Sequence, residues 1–175
     1  MVKIGFSTAR NNPASFLIRA ISGSKASHAW LLLNVEPFGQ EFVFEASEYG
    51  VRLVPWGAFR RNNRIVAVIE PQIPLDPAMV KAGAFLGAYY DFKGLVGMAF
   101  VIVGRWFKRK WRNPLHSARA MWCSELVARV LKWANHPGTD ELSPTRTSPQ
   151  DLLDLLRSLG AKDITAAEVQ RKLSA

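Results

Sequence analysis

The sequence predicts an α+β domain in which strands come first and helices follow. The first 70 residues contain short runs rich in β-branched and aromatic side chains that alternate with polar ones, which is typical of strands. The later residues instead place apolar side chains at helical spacing, between residues that begin and end helices. A length of 175 residues corresponds to one domain, taken as residues 1–175.

Four segments of the N-terminal part are predicted as strands. They are Val2–Phe6, His28–Val35, Glu41–Ser47 and Arg64–Glu70. Pro37 and Gly39 occupy favoured positions of a β-turn, so the second and third of these strands are expected to be neighbours.

One short helix is predicted near the N-terminus, and helices predominate from about residue 77 onward. The predicted helices are Pro13–Ile21, a helix opening at Pro77, Leu95–Phe107, Cys123–Ala134, and a helix that opens at Ser148-Pro149 and stops at Gly160. The helix Leu95–Phe107 is apolar on nearly every side, so we expect it to be buried or to face a membrane. The longest uncharged apolar run of the chain, Gly94–Gly104, would be about 16 Å long as a helix. A bilayer requires about 20 apolar residues, so the run is too short to span one.

The basic excess of the chain is concentrated in one segment. Lys and Arg total 23 against 14 Asp and Glu, giving a formal net charge of +9, and residues 92–124 contain no acidic residue. Aromatic residues lie among these charges, which favours contact of residues 93–119 with an anionic membrane surface over specific binding of nucleic acid. The first interpretation of the segment, ahead of both kinds of binding, is a solvated loop with aromatic anchors packed underneath. No signal peptide is visible, so we expect a cytoplasmic protein, for which peripheral attachment to a membrane is the alternative that the basic segment leaves open.

The motifs of several large enzyme classes are missing. The sequence has no Gly-x-Ser-x-Gly elbow, no phosphate-binding loop and no dinucleotide fingerprint. Its three histidines are far apart and it has one cysteine, which excludes the usual zinc spacings. We therefore expect no metal and no cofactor.

Cys123 is the candidate nucleophile. It lies at the predicted start of a helix, where the helix dipole and unpaired N–H groups favour a thiolate. The alternative is a buried structural cysteine. A catalytic thiol also needs a base. His136 is at the far end of the same helix, roughly 20 Å away, and His116 lies in a cationic loop. His28, on a strand, is therefore the candidate.

Glu45 is the candidate partner of His28. His28 and Trp30 share one face of their strand, and Val43 and Glu45 share the more polar face of the next. Burying the two purely apolar faces together then places His28 and Glu45 on the same side. A carboxylate beside an imidazole fixes its tautomer and stabilises its cation. The alternative is an ordinary surface contact.

Four motifs follow one another in a recognisable order. They are Ser27-His28-Ala29, Phe44-Glu45-Ala46-Ser47, Gly50-Val51-Arg52-Leu53 and Trp122-Cys123-Ser124-Glu125-Leu126-Val127. In this order the chain resembles the circularly permuted NlpC-type papain-like cysteine hydrolases, which are related to lecithin retinol acyltransferase-like proteins. The resemblance covers residues 5–156. It implies a permuted papain-like fold with an antiparallel sheet packed against helices, in which the His strand and the acidic strand precede the Cys helix.

The resemblance also implies a function and a role for each site residue. Cys123 would be the nucleophile, His28 the general base and acid, and Glu45 the residue that orients His28. The enzyme would cleave an amide or ester bond through an acyl-thioester intermediate, in a peptidoglycan-type cell-wall peptide or a lipid acyl group. Two other functions use the same sequence features. One is acyl transfer at the same site. The other is a basic binding module that docks on membranes or nucleic acid while Cys123 is inert.

Overall fold

The computed structural model describes residues 1–9, 24–90, 104 and 120–166. Within these ranges the strands are β1 (Lys3–Ala9), β2 (His28–Val35), β3 (Gln40–Ser47), β4 (Gly50–Pro55), β5 (Asn63–Glu70), β6 (Tyr89–Tyr90), β7 (Ala120–Met121) and β8 (Lys162–Asp163). The α-helices are α1 (Trp56–Asn62), α2 (Asp76–Gly83), α3 (Cys123–Trp133) and α4 (Pro149–Ser158). Short 3₁₀ turns cover Glu36–Phe38 and Pro144–Arg146.

The main sheet has the strand order β4-β3-β2-β1-β5-β8, and every neighbouring pair in it is antiparallel. The predicted hairpin of β2 and β3 is confirmed, with Leu32 opposite Val43 and Gly39 at a φ of 58° in the turn. Helices pack against this sheet, so the predicted α+β class with an antiparallel sheet against helices is confirmed.

Both faces of the sheet carry buried residues. One face packs against α3 and α4 and forms a core that includes Phe6, Leu31, Phe44, Leu126, Leu131 and Leu156. The other face is covered by α1, whose Trp56 and Phe59 pack on Trp30 of β2. The face that carries His28 and Glu45 is therefore not simply a polar surface, because an aromatic cluster adjoins it.

Helix α1 was not predicted from the sequence. It has only seven residues, and no side chain caps its N-terminus. A helix this short has little stability of its own, so it depends on tertiary packing. Here that packing comes from Trp56 and Phe59, which are 1% and 3% exposed.

Helix α3 begins at the predicted residue, Cys123, and ends at Trp133, one residue before the predicted end at Ala134. It follows the extended residue Trp122, and eight of its eleven residues are buried. Asn135 ends it with a φ of 53°, and the His136 N–H donates to the Leu131 carbonyl, which satisfies an otherwise unpaired helix-terminal group.

Helix α4 confirms its predicted start and stop. Ser148 and Asp151 form a reciprocal capping box, in which each side chain accepts a hydrogen bond from the other residue's backbone N–H, at 3.2 and 2.8 Å. Gly160, at a φ of 73°, follows its last turn.

Two predicted helices lie outside the described residues. They are Pro13–Ile21 and, apart from Gly104, Leu95–Phe107. The basic segment 93–119 is outside them as well, again except for Gly104. Within the part of the chain that the structure describes, no helix is long and apolar enough to cross a membrane.

Gly5 offers a test of the second core. It lies opposite Trp30 across β1 and β2, and a Cβ atom at Gly5 would overlap the indole ring of Trp30. We expect Gly5→Ala to lower the free energy of unfolding by about 1–3 kcal/mol, because the buried ring must move. Urea denaturation followed by tryptophan fluorescence measures this. Gly57→Ala in α1 is the control, since no atom lies within 4 Å of its Cβ position; equal losses in both variants would contradict the prediction.

Val130 tests the core between the sheet and α3. It is 0% exposed, whereas Val80 on α2 is 82% exposed. Val130→Ala should destabilise the fold by about 1–4 kcal/mol through loss of buried surface and a residual cavity. Val80→Ala makes the same chemical change at the surface and should shift the unfolding free energy by less than about 0.5 kcal/mol. Denaturant titration of the two variants measures both changes in unfolding free energy. Equal changes would contradict the prediction.

Candidate active site

Cys123 meets the sheet where β2 and β3 part. Paired residues of β2 and β3 end at Leu31 and Phe44, although β2 continues to pair with β1 as far as His28. The N-terminus of α3 packs at this opening, and the backbone N–H of Ala29 donates to the Cys123 sulfur. The end of the β2–β3 pairing thus brings the thiol to the start of the strand that carries His28.

His28 and Glu45 are in direct contact. Nε2 of His28 lies 2.6 Å from Oε2 of Glu45. The Glu45 side chain is 3% exposed and that of His28 is 16% exposed. The structure therefore brings together the two side chains that the facing pattern of the strands placed on one side of the hairpin.

The thiol completes a line of three groups. A hydrogen bond links Cys123 to the His28 side chain. Since Nε2 of the ring faces Glu45, Nδ1 is left for the thiol. Cys123, His28 and Glu45, from α3, β2 and β3, thus form one connected chain of polar contacts.

These contacts shift the pKa values of the His28–Cys123 pair in opposite directions. Burial lowers the pKa of His28, but hydrogen bonds and opposite charges from Cys123 and Glu45 outweigh it and raise that pKa from 6.5 to about 10. Burial raises the pKa of the Cys123 thiol, but His28 and the backbone N–H groups of Ala29 and Ser124 outweigh it and hold the pKa below the usual cysteine value. Both shifts favour the thiolate form of Cys123 and the imidazolium form of His28.

Glu45 has a second partner, Arg52 on β4. Its Oε1 accepts a hydrogen bond from Arg52 Nε at 3.0 Å, and Nη2 of the same guanidinium is 2.8 Å away. Burial raises the pKa of Glu45, but the His28 and Arg52 contacts outweigh it, so the pKa lies below the usual range and the carboxylate is ionised.

Phe59 packs on the His28 ring. Their ring centroids are 6.1 Å apart with planes tilted by 30°. Phe59 belongs to α1, which the sequence did not predict, so its place beside His28 was missed. Arg52 belongs to the motif Gly50-Val51-Arg52-Leu53, but the sequence assigned it no role. The two-residue connection Glu48–Tyr49 was the signal that could have paired Arg52 with Glu45.

The other histidines are not part of this arrangement. His136 follows α3 at the end opposite Cys123, and its Nδ1 is 3.0 Å from the carbonyl oxygen of Pro137. His116 lies outside the described residues. Across residues 1–9, 24–90, 104 and 120–166, no group of three His, Cys, Asp or Glu side chains has an arrangement that could hold a metal ion.

Comparison with known proteins informs the fold. No protein-family model and no curated protein matches the chain. Among solved structures, it is similar to the metalloprotein yiiX from Escherichia coli O157:H7, with a TM-score of 0.54 and 20% sequence identity. The match covers 75% of this chain and 64% of yiiX. At this identity the likeness is one of fold.

The pH dependence of thiol alkylation tests the Cys–His pair. The chain has one cysteine, so iodoacetamide incorporation reports on Cys123 alone. In the wild-type protein the thiolate should titrate well below about 8.5, the value for a free cysteine. His28→Ala should move the titration upward, because the imidazolium that stabilises the thiolate is lost.

The control for this titration is Asn34→Ala, which changes an exposed residue on the same face of β2. It should give the wild-type alkylation profile. Identical profiles for wild type and His28→Ala, with both proteins folded, would contradict the pair.

Proposed function

We propose that the chain is a cysteine hydrolase with a permuted papain-like, NlpC-type fold that cleaves an amide or ester bond. The observation that carries the proposal is the connected line Cys123–His28–Glu45, with 2.6 Å between the imidazole and the carboxylate. A nucleophile, a base within hydrogen-bond reach and a group that orients the base are what covalent catalysis by a thiol requires.

The order of the elements supports the permuted fold. The His strand β2 and the acidic strand β3 both precede the Cys helix α3 along the chain. This is the order that the resemblance to NlpC-type hydrolases implies, and it is the reverse of that in papain. Strands and helix nevertheless converge on one point of the sheet.

In the first half of the reaction, the Cys123 thiolate attacks the substrate carbonyl carbon. The negative charge that develops on the carbonyl oxygen is favoured by the positive end of the α3 dipole. The His28 imidazolium donates its proton to the leaving amine or alcohol as the carbon–nitrogen or carbon–oxygen bond breaks. The product of this half is an acyl thioester on Cys123.

In the second half, water attacks the thioester carbonyl. Neutral His28 takes the water proton, the carbon–sulfur bond breaks, and the released thiolate again pairs with the imidazolium. Glu45 accepts from Nε2 throughout, so it holds the ring tautomer and stabilises the cation whenever His28 is protonated.

The substrate class follows from the resemblance rather than from the geometry. It includes peptidoglycan-type peptide amides and lipid acyl groups. Contact of residues 93–119 with an anionic membrane surface would favour an acyl or membrane-borne substrate, and that contact stays a prediction. Acyl transfer uses the same nucleophile and base, with an amine or alcohol in place of water.

Trapping of the acyl-enzyme tests the proposal. The protein is mixed with an activated acyl ester and with a peptide amide of the cell-wall type, and intact mass is recorded during turnover. The wild-type mass should rise by that of the acyl group, and hydroxylamine should remove the adduct. Cys123→Ala should form no adduct, and His28→Ala should acylate about 10²–10⁴-fold more slowly.

Glu45→Gln has a matched control in Glu41→Gln, a change of the same kind on β3. Glu41 contacts Lys3 at 3.4 Å instead of His28. Glu45→Gln should slow turnover less than Cys123→Ala does, and Glu41→Gln should leave it unchanged. Added amine or alcohol that diverts the acyl group would assign transfer instead of hydrolysis. The binding module would be favoured if the wild type forms no adduct and if its binding to anionic membranes or nucleic acid survives Cys123→Ala.

A further inference from the structure

The Glu45 carboxylate is held on both oxygens by different partners. Oε2 faces Nε2 of His28 at 2.6 Å, and Oε1 faces Nε and Nη2 of Arg52 at 3.0 and 2.8 Å. The imidazole and the guanidinium therefore do not compete for the same oxygen. Each fixes the carboxylate from its own side.

The position of Arg52 is set by strand pairing. In the register of β3 and β4, Arg52 lies directly opposite Glu45. Directly opposed side chains of antiparallel strands have Cβ atoms about 4.5–5.5 Å apart, close enough for an ion pair. On its outer side the guanidinium lies 4.5 Å above the centroid of the Tyr49 ring. The strand, the carboxylate and the ring together limit the rotation of the Arg52 side chain.

We propose that Arg52 is a positioning residue of this site, which holds one oxygen of Glu45 so that the other remains directed at His28. The proposal rests on the proposed function, because it assigns Arg52 a role in the reactivity of Cys123. The terminal torsion of a glutamate is broad and nearly two-fold, so a contact to His28 alone leaves the carboxylate free to turn. A second, charged contact on the other oxygen removes that freedom.

The charged groups around Glu45 determine in which direction the loss of Arg52 shifts the titration of Cys123. His28 faces it from β2 and Arg52 from β4, and Cys123 on α3 stands beyond His28. The contact of α1 with His28 is the Phe59 ring. Loss of Arg52 removes a cation from beside a buried carboxylate and lets that carboxylate turn. Without the guanidinium the pKa of Glu45 rises, so the carboxylate takes up a proton at a higher pH, and a carboxylate that has turned no longer faces His28. Either change removes the anion that stabilises the imidazolium, so the thiolate is lost at a higher pH as the solution is acidified.

The test is the rate of Cys123 alkylation as a function of pH in Arg52→Met and Arg52→Lys. The informative part is the acid limb of this profile, where the rate falls as the thiolate takes up a proton. At a pH on the acid side of the wild-type midpoint, Arg52→Met should react about tenfold more slowly than the wild type. Arg52→Lys keeps the charge but loses the planar two-nitrogen fork, so it should recover only part of the rate. A role in stability alone would lower the denaturation midpoint without moving the acid limb.

Arg157→Met is the matched control. Arg157 also pairs with a carboxylate, that of Asp163 at 3.2 Å, but Asp163 is on β8 at the edge of the sheet opposite β4. The alkylation profile of Arg157→Met should coincide with that of the wild type. In a Glu45→Gln background, Arg52→Met should slow alkylation much less than in the wild type, because the residue through which it acts is absent.

The outcomes separate this inference from the proposed function. A wild-type thiol with an ordinary titration would overturn both. If the wild-type Cys123 thiol titrates at a low pH and Arg52→Met does not change that midpoint, the role of Arg52 alone is overturned. Should Arg52→Met fail to fold, Arg52→Lys decides, and an acid limb identical to the wild type in that variant would overturn the role of Arg52.

Discussion

The buried contact between His28 and Glu45 is the interaction on which the candidate site depends. An isolated carboxylate with 3% exposure would be costly, so Glu45 requires a partner on each oxygen. His28 and Arg52 supply these partners. Hydrogen bonds and opposite charges from Cys123 and Glu45 outweigh burial and raise the pKa of His28 to about 10. The imidazolium in turn lowers the pKa of the Cys123 thiol. The reactivity proposed for Cys123 thus depends on Glu45, which contacts His28 and is buried in the sheet.

The sheet also determines why the thiol is in reach. Because β2 and β3 stop pairing at Leu31 and Phe44, the backbone N–H of Ala29 is used by the sulfur of Cys123. Helix α3 is fixed by its burial against the same strands, so the thiol and the imidazole are each held on a regular element. Such placement gives a better-defined geometry than two loops would.

Local sequence signals were sufficient for the elements that have their own caps and periodicity. Helix α4 was predicted from Ser148, Pro149 and Gly160, and the β2–β3 hairpin from the turn between them. Helix α1 was missed because its seven residues show no cap and no repeat, and its stability comes from aromatic packing on Trp30. The position of Phe59 against His28 was missed for the same reason.

The sequence by itself determined which groups the site has available: one thiol at a helix start, an imidazole on a strand, and a carboxylate on the same side of the next strand. Only the tertiary structure decided that α3 docks where β2 and β3 separate, that Arg52 lies opposite Glu45, and that Glu45 is buried. Burial and hydrogen bonding, which shift the pKa values, arise from contacts between residues distant in the chain. Periodicity describes the faces of single elements and leaves such contacts undetermined.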